Sequence, residues 1–377
     1  MSGIYIHVPF CKQRCYYCDF FTSTQIKQKP ELVLALIQEI KLRKDWLAGE
    51  EVRTIYFGGG TPSLLSVDEI NSILTVIFQN FEVIQNPEIT LEANPDDLSL
   101  KYITELKSTR VNRLSIGIQS FNDAELAMMN RRHTAQQAID SVINAQKCGF
   151  NNISTDLIYG LPGSDEKTWL LNLEKMASLK IQHLSAYHLT YEKGTVFEDR
   201  RKKQKLFPVS EEESLSQFNQ LMDWAAQHSF EHYEISNFAT EGFYSKHNTN
   251  YWKQEKYLGI GPAAHSYNIQ SRAWNPSNIS QYINAIKNSK PEFETETLTL
   301  IDKHNEFLIT SLRTQWGVDL NAFENQFGKE WKERLMQQAK SFIENQKLRI
   351  KNQSLVLTKN GVFVCDAILT ELIIESE

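Results

Sequence analysis

Arg53-Thr-Ile-Tyr-Phe-Gly-Gly-Gly-Thr-Pro-Ser-Leu-Leu-Ser66-Val-Asp-Glu69-Ile-Asn-Ser-Ile-Leu-Thr-Val-Ile77 carries a whole strand–turn–helix unit. It starts as a short run of β-formers and breaks at three glycines and Pro62. It restarts at Ser66, with Glu69 three residues on, the pattern of a capping box. Ile70, Ile73, Leu74 and Ile77 then recur at helical spacing on one face.

The same order repeats outward from this unit. Strands are expected at 3–8, 53–57, 88–92, 113–118, 153–158 and 183–189, each short and rich in Ile, Leu, Val or aromatics. Several alternate by twos, as in Leu114, Ile116 and Ile118. Ser210 with Glu213 opens a further helix whose stripe is Leu215, Phe218, Leu221 and Met222. Strand and helix alternating in this way imply a parallel sheet. The expected fold is α/β, a partial (β/α)6-type TIM barrel, in which chemistry gathers at the C-terminal ends of the strands. Cys11, Cys15 and Cys18 follow the first strand, and Gly58-Gly-Gly-Thr-Pro62 follows the second. Glu92, Gln119 and Asp156 sit at or near the ends of the next three, and Thr190 follows the sixth.

The last part of the chain reads differently. Helices are expected at 302–314, 319–327 and 329–346, then a hairpin of 348–350 and 355–358 turning at Asn352-Gln353, a winged-helix-like and mostly helical arrangement. The division expected is 1–235 for the barrel core, 236–300 for a connecting region and 301–377 for the C-terminal domain. Residues 301–377 hold ten Lys/Arg against eleven Asp/Glu, so they lack the basic stripe of a nucleic-acid reader. Packing or covering the barrel is the preferred role.

Composition narrows the function. With 377 residues, 41% apolar, 23% charged and a net charge of −6, the chain is neither a disordered segment nor a basic nucleic-acid binder. No apolar run reaches the length of a membrane span. The opening Met1-Ser-Gly-Ile-Tyr-Ile-His-Val-Pro lacks the pattern of a signal peptide, so a cytoplasmic protein is expected. Five cysteines make no disulfide framework. Three within eight residues point to metal chemistry in a reducing compartment.

Cys11-Lys-Gln-Arg-Cys15-Tyr-Tyr-Cys18 is the most specific signal. Thiolates are the usual ligands of iron–sulfur clusters, and three can hold three irons of a [4Fe–4S] cube while the fourth stays open. A zinc site completed by His7, or three packed thiols, are the other readings. CxxxCxxC at a strand end favours the cluster.

This motif, with Tyr17 before its last cysteine, resembles the signature of radical S-adenosylmethionine (SAM) proteins. Tyr5-Ile-His-Val-Pro-Phe-Cys11, Gly58-Gly-Gly-Thr-Pro-Ser63, Ile116-Gly-Ile-Gln-Ser-Phe121 and Asp156-Leu-Ile-Tyr-Gly-Leu-Pro-Gly163 resemble the family of oxygen-independent coproporphyrinogen III oxidase and its relatives. Tyr233-Glu-Ile-Ser-Asn-Phe-Ala239 and His247-Asn-Thr-Asn-Tyr-Trp252 are similar to one branch of it, the HemW haem chaperones.

The resemblance implies that SAM chelates the open iron and is held by Gly59, Gly60, Thr61, Glu92, Gln119, Arg131 and Asp156, with Tyr5 and Tyr17 nearby. Glycine permits close backbone approach, and an Arg suits a carboxylate. Core packing is the plain alternative for the two tyrosines, and a cap or ion pair for Glu92 and Asp156. The resemblance also implies haem on His247, flanked by Tyr251 and Trp252, since imidazole is a common axial ligand. His265 is left without an assigned role, Cys148 and Cys365 read as packed thiols, and the run Arg200–Lys205 reads as a solvated face or a contact for haem propionates.

Two departures separate the branches. The oxidase has a fourth cysteine two residues after the third, where this chain has Phe20, and an extended N-terminal arm, where this chain has only Met1 and Ser2 before the first strand. The expected function is therefore a SAM- and [4Fe–4S]-binding chaperone that binds haem and transfers it to an acceptor protein. The alternative is the oxidase, or another radical SAM enzyme acting on a tetrapyrrole. Expected partners are haem and an unidentified acceptor, with peripheral membrane contact only through that acceptor. The expected state is a monomer or a haem-linked dimer.

Overall fold

The computed structural model describes residues 2–374. Six parallel strands run in chain order: β1 (Ser2–Val8), β2 (Val52–Gly59), β3 (Val83–Ala93), β4 (Arg113–Gln119), β5 (Ile153–Tyr159) and β6 (His183–His188). Their neighbours pair in parallel throughout. All six expected strands are present, and β3 begins five residues earlier than expected.

The sheet continues past both ends of this run. β7 (Glu231–Glu234) and β8 (Asn237–Ala239) add to β6 by antiparallel pairing. β9 (Lys256–Ile260) lies parallel to β1, followed outward by β10 (His265–Tyr267), β11 (Ser271–Trp274) and β12 (Glu294–Thr297). The result is one sheet of twelve strands whose end strands do not pair, an open barrel. The stretch 236–300, read in the sequence as a connection, thus supplies β8 to β12 of the barrel's own sheet.

Period-two alternation sorts the strand residues into two faces. Ile4, Ile6, Ile55, Phe57, Ile89, Leu91, Leu114, Ile116, Ile153, Leu157 and Leu184 are buried in the main apolar core. The alternate set is polar or small: Tyr5, His7, Thr54, Tyr56, Glu88, Glu92, Arg113, Ser115, Ser154, Asp156, His183 and Ser185. These occupy the concave side. Ser66 caps the helix Val67–Asn80, with Glu69 N–H donating to Ser66 Oγ at 3.2 Å and Ser66 N–H donating to Glu69 at 2.7 Å.

A second apolar core lies in the C-terminal part, built on Leu308, Leu312, Phe323, Leu335, Leu355 and Leu369. Its helices Leu300–Leu312, Leu320–Phe327 and Lys329–Glu344 match the expected ones within two residues. The hairpin strands β14 (Leu348–Lys351) and β15 (Ser354–Leu357) turn on Asn352 and Gln353, both left-handed at φ 48° and 63°. Their partner is the short β13 (Val318–Asp319). The helices Lys359–Val362 and Cys365–Leu372 complete this part and were not expected from the sequence. It is tied to the barrel by a bridge between Glu234 and Thr314 and by Gln315 N–H donating to the Tyr233 carbonyl at 3.0 Å. No helix among the described residues is long and apolar enough to cross a membrane.

Candidate cluster and SAM site at the barrel mouth

After β1 the chain runs through Phe10, fully buried in the core, into the cysteine loop. The loop is pinned by backbone bonds to several elements. Cys11 N–H donates to the Ser23 carbonyl at 3.0 Å, Tyr16 N–H to Met129 at 3.1 Å, and Phe197 N–H to Tyr16 at 3.0 Å. The last bond comes from the helix Val196–Lys202, whose Arg200 also lies over the Tyr16 ring at 4.4 Å. Part of the basic run thus braces the loop. Arg201 and Lys202 pair with Glu198, and Lys203 pairs with Asp199.

Cys11, Cys15 and Cys18 are half-buried and face one cavity of about 680 Å³. Two side-chain donors already address their sulfurs: Thr61 Oγ1 lies 3.4 Å from Cys11 Sγ and Arg131 Nη1 lies 3.3 Å from Cys15 Sγ. Burial pushes the Cys18 thiol up to about 11, with the Cys15 and Cys11 sulfurs adding to the rise. Three crowded thiols with cationic and hydroxyl donors are a donor set that bound iron would stabilise as thiolates. Among the described residues, no group of three His, Cys, Asp or Glu side chains is close enough to hold a single metal ion. Cys148 packs against the main core away from this cavity, whereas Cys365 belongs to the C-terminal core and also lines the cavity. Phe20, at the position of the oxidase's extra cysteine, lines the cavity and is 64% exposed.

The same cavity is lined by Tyr17, Gly59, Gly60, Thr61, Glu92, Gln119, Arg131 and Asp156. The glycine turn passes close beneath it. A Cβ on Gly60 would stand 2.8 Å from the Phe10 carbonyl, and Gly59 combines φ of 108° with a Cβ position 2.6 Å from the His7 ring. Glu92 accepts from Tyr56 Oη at 2.8 Å and from Gly59 N–H at 3.1 Å. Burial lifts its carboxyl to about 7 despite those donors. Burial also lifts Asp156 to about 6, against the pull of Ser185, Arg113 and Arg131. Arg131 spans the site. Besides Cys15 it donates to Asn94 Oδ1 at 2.7 Å and to the Gly117 carbonyl at 2.5 Å. Gln119 sits at φ of 70°, where β4 shifts register against β5, a left-handed non-glycine residue at a strand end.

Tyr5 lies one layer below the cavity, with its hydroxyl 3.1 Å from His7 Nδ1 and its ring stacked on Tyr56. His265 is exposed, stacks on Trp274 and is not among the cavity-lining residues. Several residues were not assigned to the site from the sequence: Tyr56, Asn94, Arg113 and the outer wall of Tyr187, Phe363 and Phe218, the last read only as part of a helical stripe. For Tyr56 and Arg113 a signal existed, since they share the concave parity of Glu92 and Asp156.

The motif His247 to Trp252 lies elsewhere. It forms the helix Lys246–Trp252, capped by Ser245, at the opposite end of the barrel. His247 is 1% exposed. Its Nδ1 meets Thr54 Oγ1 at 2.8 Å, its Nε2 meets Tyr251 Oη at 2.8 Å, and its backbone N–H donates to Glu88 at 3.1 Å. Tyr251 meets the His247 ring edge-on. The helix thus turns the His247 ring into the barrel floor, over Gly3 and Thr54.

Residues 5–175 match the family described as the radical SAM superfamily, and residues 298–364 match the HemN C-terminal domain. "Heme chaperone HemW" of Lactococcus lactis is 37% identical over 96% of this chain and 94% of its own. "Heme chaperone HemW" of Bacillus subtilis is 35% identical over 87% of this chain and 88% of its own. The solved structure of coproporphyrinogen III oxidase (HemN) from Escherichia coli superposes with a TM-score of 0.86, at 22% identity, over 99% of this chain and 90% of that one. That likeness establishes the shared fold. Identity running through barrel and C-terminal part alike makes this chain a member of the HemW family, within the radical SAM superfamily.

Proposed function

We propose that this protein is a haem chaperone that binds a [4Fe–4S] cluster and SAM at the barrel mouth, binds haem, and passes it to an acceptor protein in the cytoplasm. The observation that carries the mouth assignment is the convergence of Cys11, Cys15 and Cys18 with Glu92, Gln119, Arg131 and Asp156 on one cavity. Cys11, Cys15 and Cys18 hold the cluster. Gly59, Gly60 and Thr61 let a ligand lie against backbone. Glu92 and Asp156 offer carboxylates to cationic or hydroxyl groups, and Arg131 offers a guanidinium to a carboxylate. Tyr17 packs beside the cysteines, Gln119 shapes the wall, and Tyr5 supports the site from beneath through His7 and Tyr56. The bound cluster supplies an open iron and one-electron chemistry.

His247 is the proposed haem ligand, with Tyr251 and Trp252 beside it. Burial pushes its imidazole down to about 3, so it is neutral near pH 7, the form that ligates a metal. Haem binding at this nitrogen requires Tyr251 to give up Nε2. Membership of the HemW family and Phe20 in place of a fourth cysteine support the chaperone over the oxidase. The test is one anaerobic preparation with the cluster reconstituted, assayed for both haem binding and coproporphyrinogen III turnover. Saturable haem binding without protoporphyrinogen formation is expected. Decarboxylated product would overturn the proposal in favour of the oxidase.

A further inference from the structure

The two ends of the barrel are joined through one side chain. On the mouth side, Tyr56 Oη donates to Glu92 Oε1 at 2.8 Å, and Gly59 N–H holds the other oxygen. On the floor side, the Tyr56 ring stacks on the His247 imidazole with centroids 5.0 Å apart and planes at 24°. Tyr5 lies against both rings, at 6.2 Å from Tyr56 and 6.4 Å from His247. Thr54, which holds His247 Nδ1, precedes Tyr56 by two residues on β2 and so shares its face. Glu88, which holds the His247 backbone, precedes Glu92 by four residues on β3 and so shares its face as well.

This column makes the exposed and buried positions of His247 unequal for the mouth. Rings of Tyr5, Tyr56 and Tyr251 surround the imidazole, and a flat macrocycle has no approach to Nε2 in that position. For His247 to ligate haem iron, its ring must leave the stack. The Tyr56 ring then loses the surface that fixes it, and Glu92 loses the hydroxyl that orients it. A ligand that orders Glu92 does the reverse, because it favours the arrangement in which Tyr56 and His247 are packed.

We propose that Tyr56 is a positioning residue that couples the two sites with negative sign: SAM at Glu92 favours buried His247 and promotes haem release, and haem on His247 weakens SAM binding. The inference rests on the functional reading above and adds to it the trigger for haem transfer. Coupling between binding sites is reciprocal, so the two effects must have the same factor.

The test uses the full chain with its cluster reconstituted, as wild type and as Tyr56→Phe. SAM affinity is measured by calorimetry with and without haem, and haem affinity by Soret titration with and without SAM. In the wild type each ligand should weaken the other about five-fold or more, by the same factor. Tyr56→Phe keeps the ring and removes the hydroxyl. It should bind SAM more weakly in the absence of haem, and the mutual factor should fall below about two. Thr54→Val, which loosens His247 from the other side, should tighten haem and weaken SAM. A wild-type factor of one, mutual strengthening, or an unchanged factor in Tyr56→Phe overturns the inference while the chaperone reading stands. Unchanged affinities in Thr54→Val do the same. Failure of the wild type to bind SAM or haem at all overturns the functional reading, and this inference with it.

Discussion

Arg131 shows how much of the mouth depends on single side chains, since its guanidinium serves Cys15, Asn94 and the Gly117 carbonyl together. The cysteines were singled out by their spacing, Glu92 and Asp156 by their places at strand ends, and Arg131 by the family resemblance alone. Tyr56 and Asn94 were not, because a tyrosine in mid-strand and an asparagine in a turn are ordinary residues until the partner they bond is known. Replacing Cys11, Cys15 or Cys18 by Ala should abolish the visible absorbance of the reconstituted cluster, whereas Cys148→Ala and Cys365→Ala should keep it. Loss in Cys148→Ala equal to that in Cys11→Ala would refute the assignment. Glu92→Gln should weaken SAM binding by about 1.5–3 kcal/mol.

Glu92 also makes a pH prediction. Its folded pKa is raised to about 7 by burial, above the unfolded carboxyl value of about 4.3. The stability it contributes is therefore complete below the unfolded value and is lost as pH rises through about 7. Gln cannot ionise and escapes that loss. Urea melts of cluster-free protein should show the stability difference moving in favour of Glu92→Gln by about 1–3 kcal/mol between roughly pH 5 and 8. Comparing the two proteins cancels the opposite trend from histidines such as His7, which burial pushes down to about 4. A difference that does not vary with pH would contradict the burial argument.

At the scale of elements, local signals located helices and turns well. The capping box at Ser66 formed as its spacing implied, and Ser66→Ala should cost about 1 kcal/mol in a denaturant melt with SAM affinity unchanged. A lowered SAM affinity would mean that this helix tunes the glycine turn and does more than support it. Asn352-Gln353 turned the hairpin by adopting left-handed backbone, which Asn tolerates well. The helix Lys246–Trp252 and its orientation were not read from the sequence, for a different reason. Seven residues give too little periodicity to say which side faces inward, and its inward partners, Thr54 and Glu88, lie 193 and 159 residues away in the chain.

For the whole molecule, alternation of strand and helix gave the parallel barrel, but the continuation of the sheet did not show. The edge strands β7 to β12 have three to five residues between turns or helices, and pairing across the chain, not local pattern, makes them strands. The division at 235 and 300 that we propose is thus a division of roles: residues 236–300 share the barrel's sheet, while the C-terminal part has its own core and lends Val362, Phe363 and Cys365 to the mouth cavity. The proposed cluster and SAM residues and the helix that carries His247 therefore belong to one sheet, the former at its mouth and the latter at its floor.

The most direct measurement of the chaperone account is an anaerobic Soret titration of haem into the cluster-reconstituted protein, run in parallel on wild type and His247→Ala. The account predicts a saturable Soret shift in the wild type that is lost in His247→Ala while the cluster absorbance and thermal midpoint persist. The same shift in both proteins would reject His247 as the ligand, and no saturable shift in the wild type would contradict the claim that this chain carries haem.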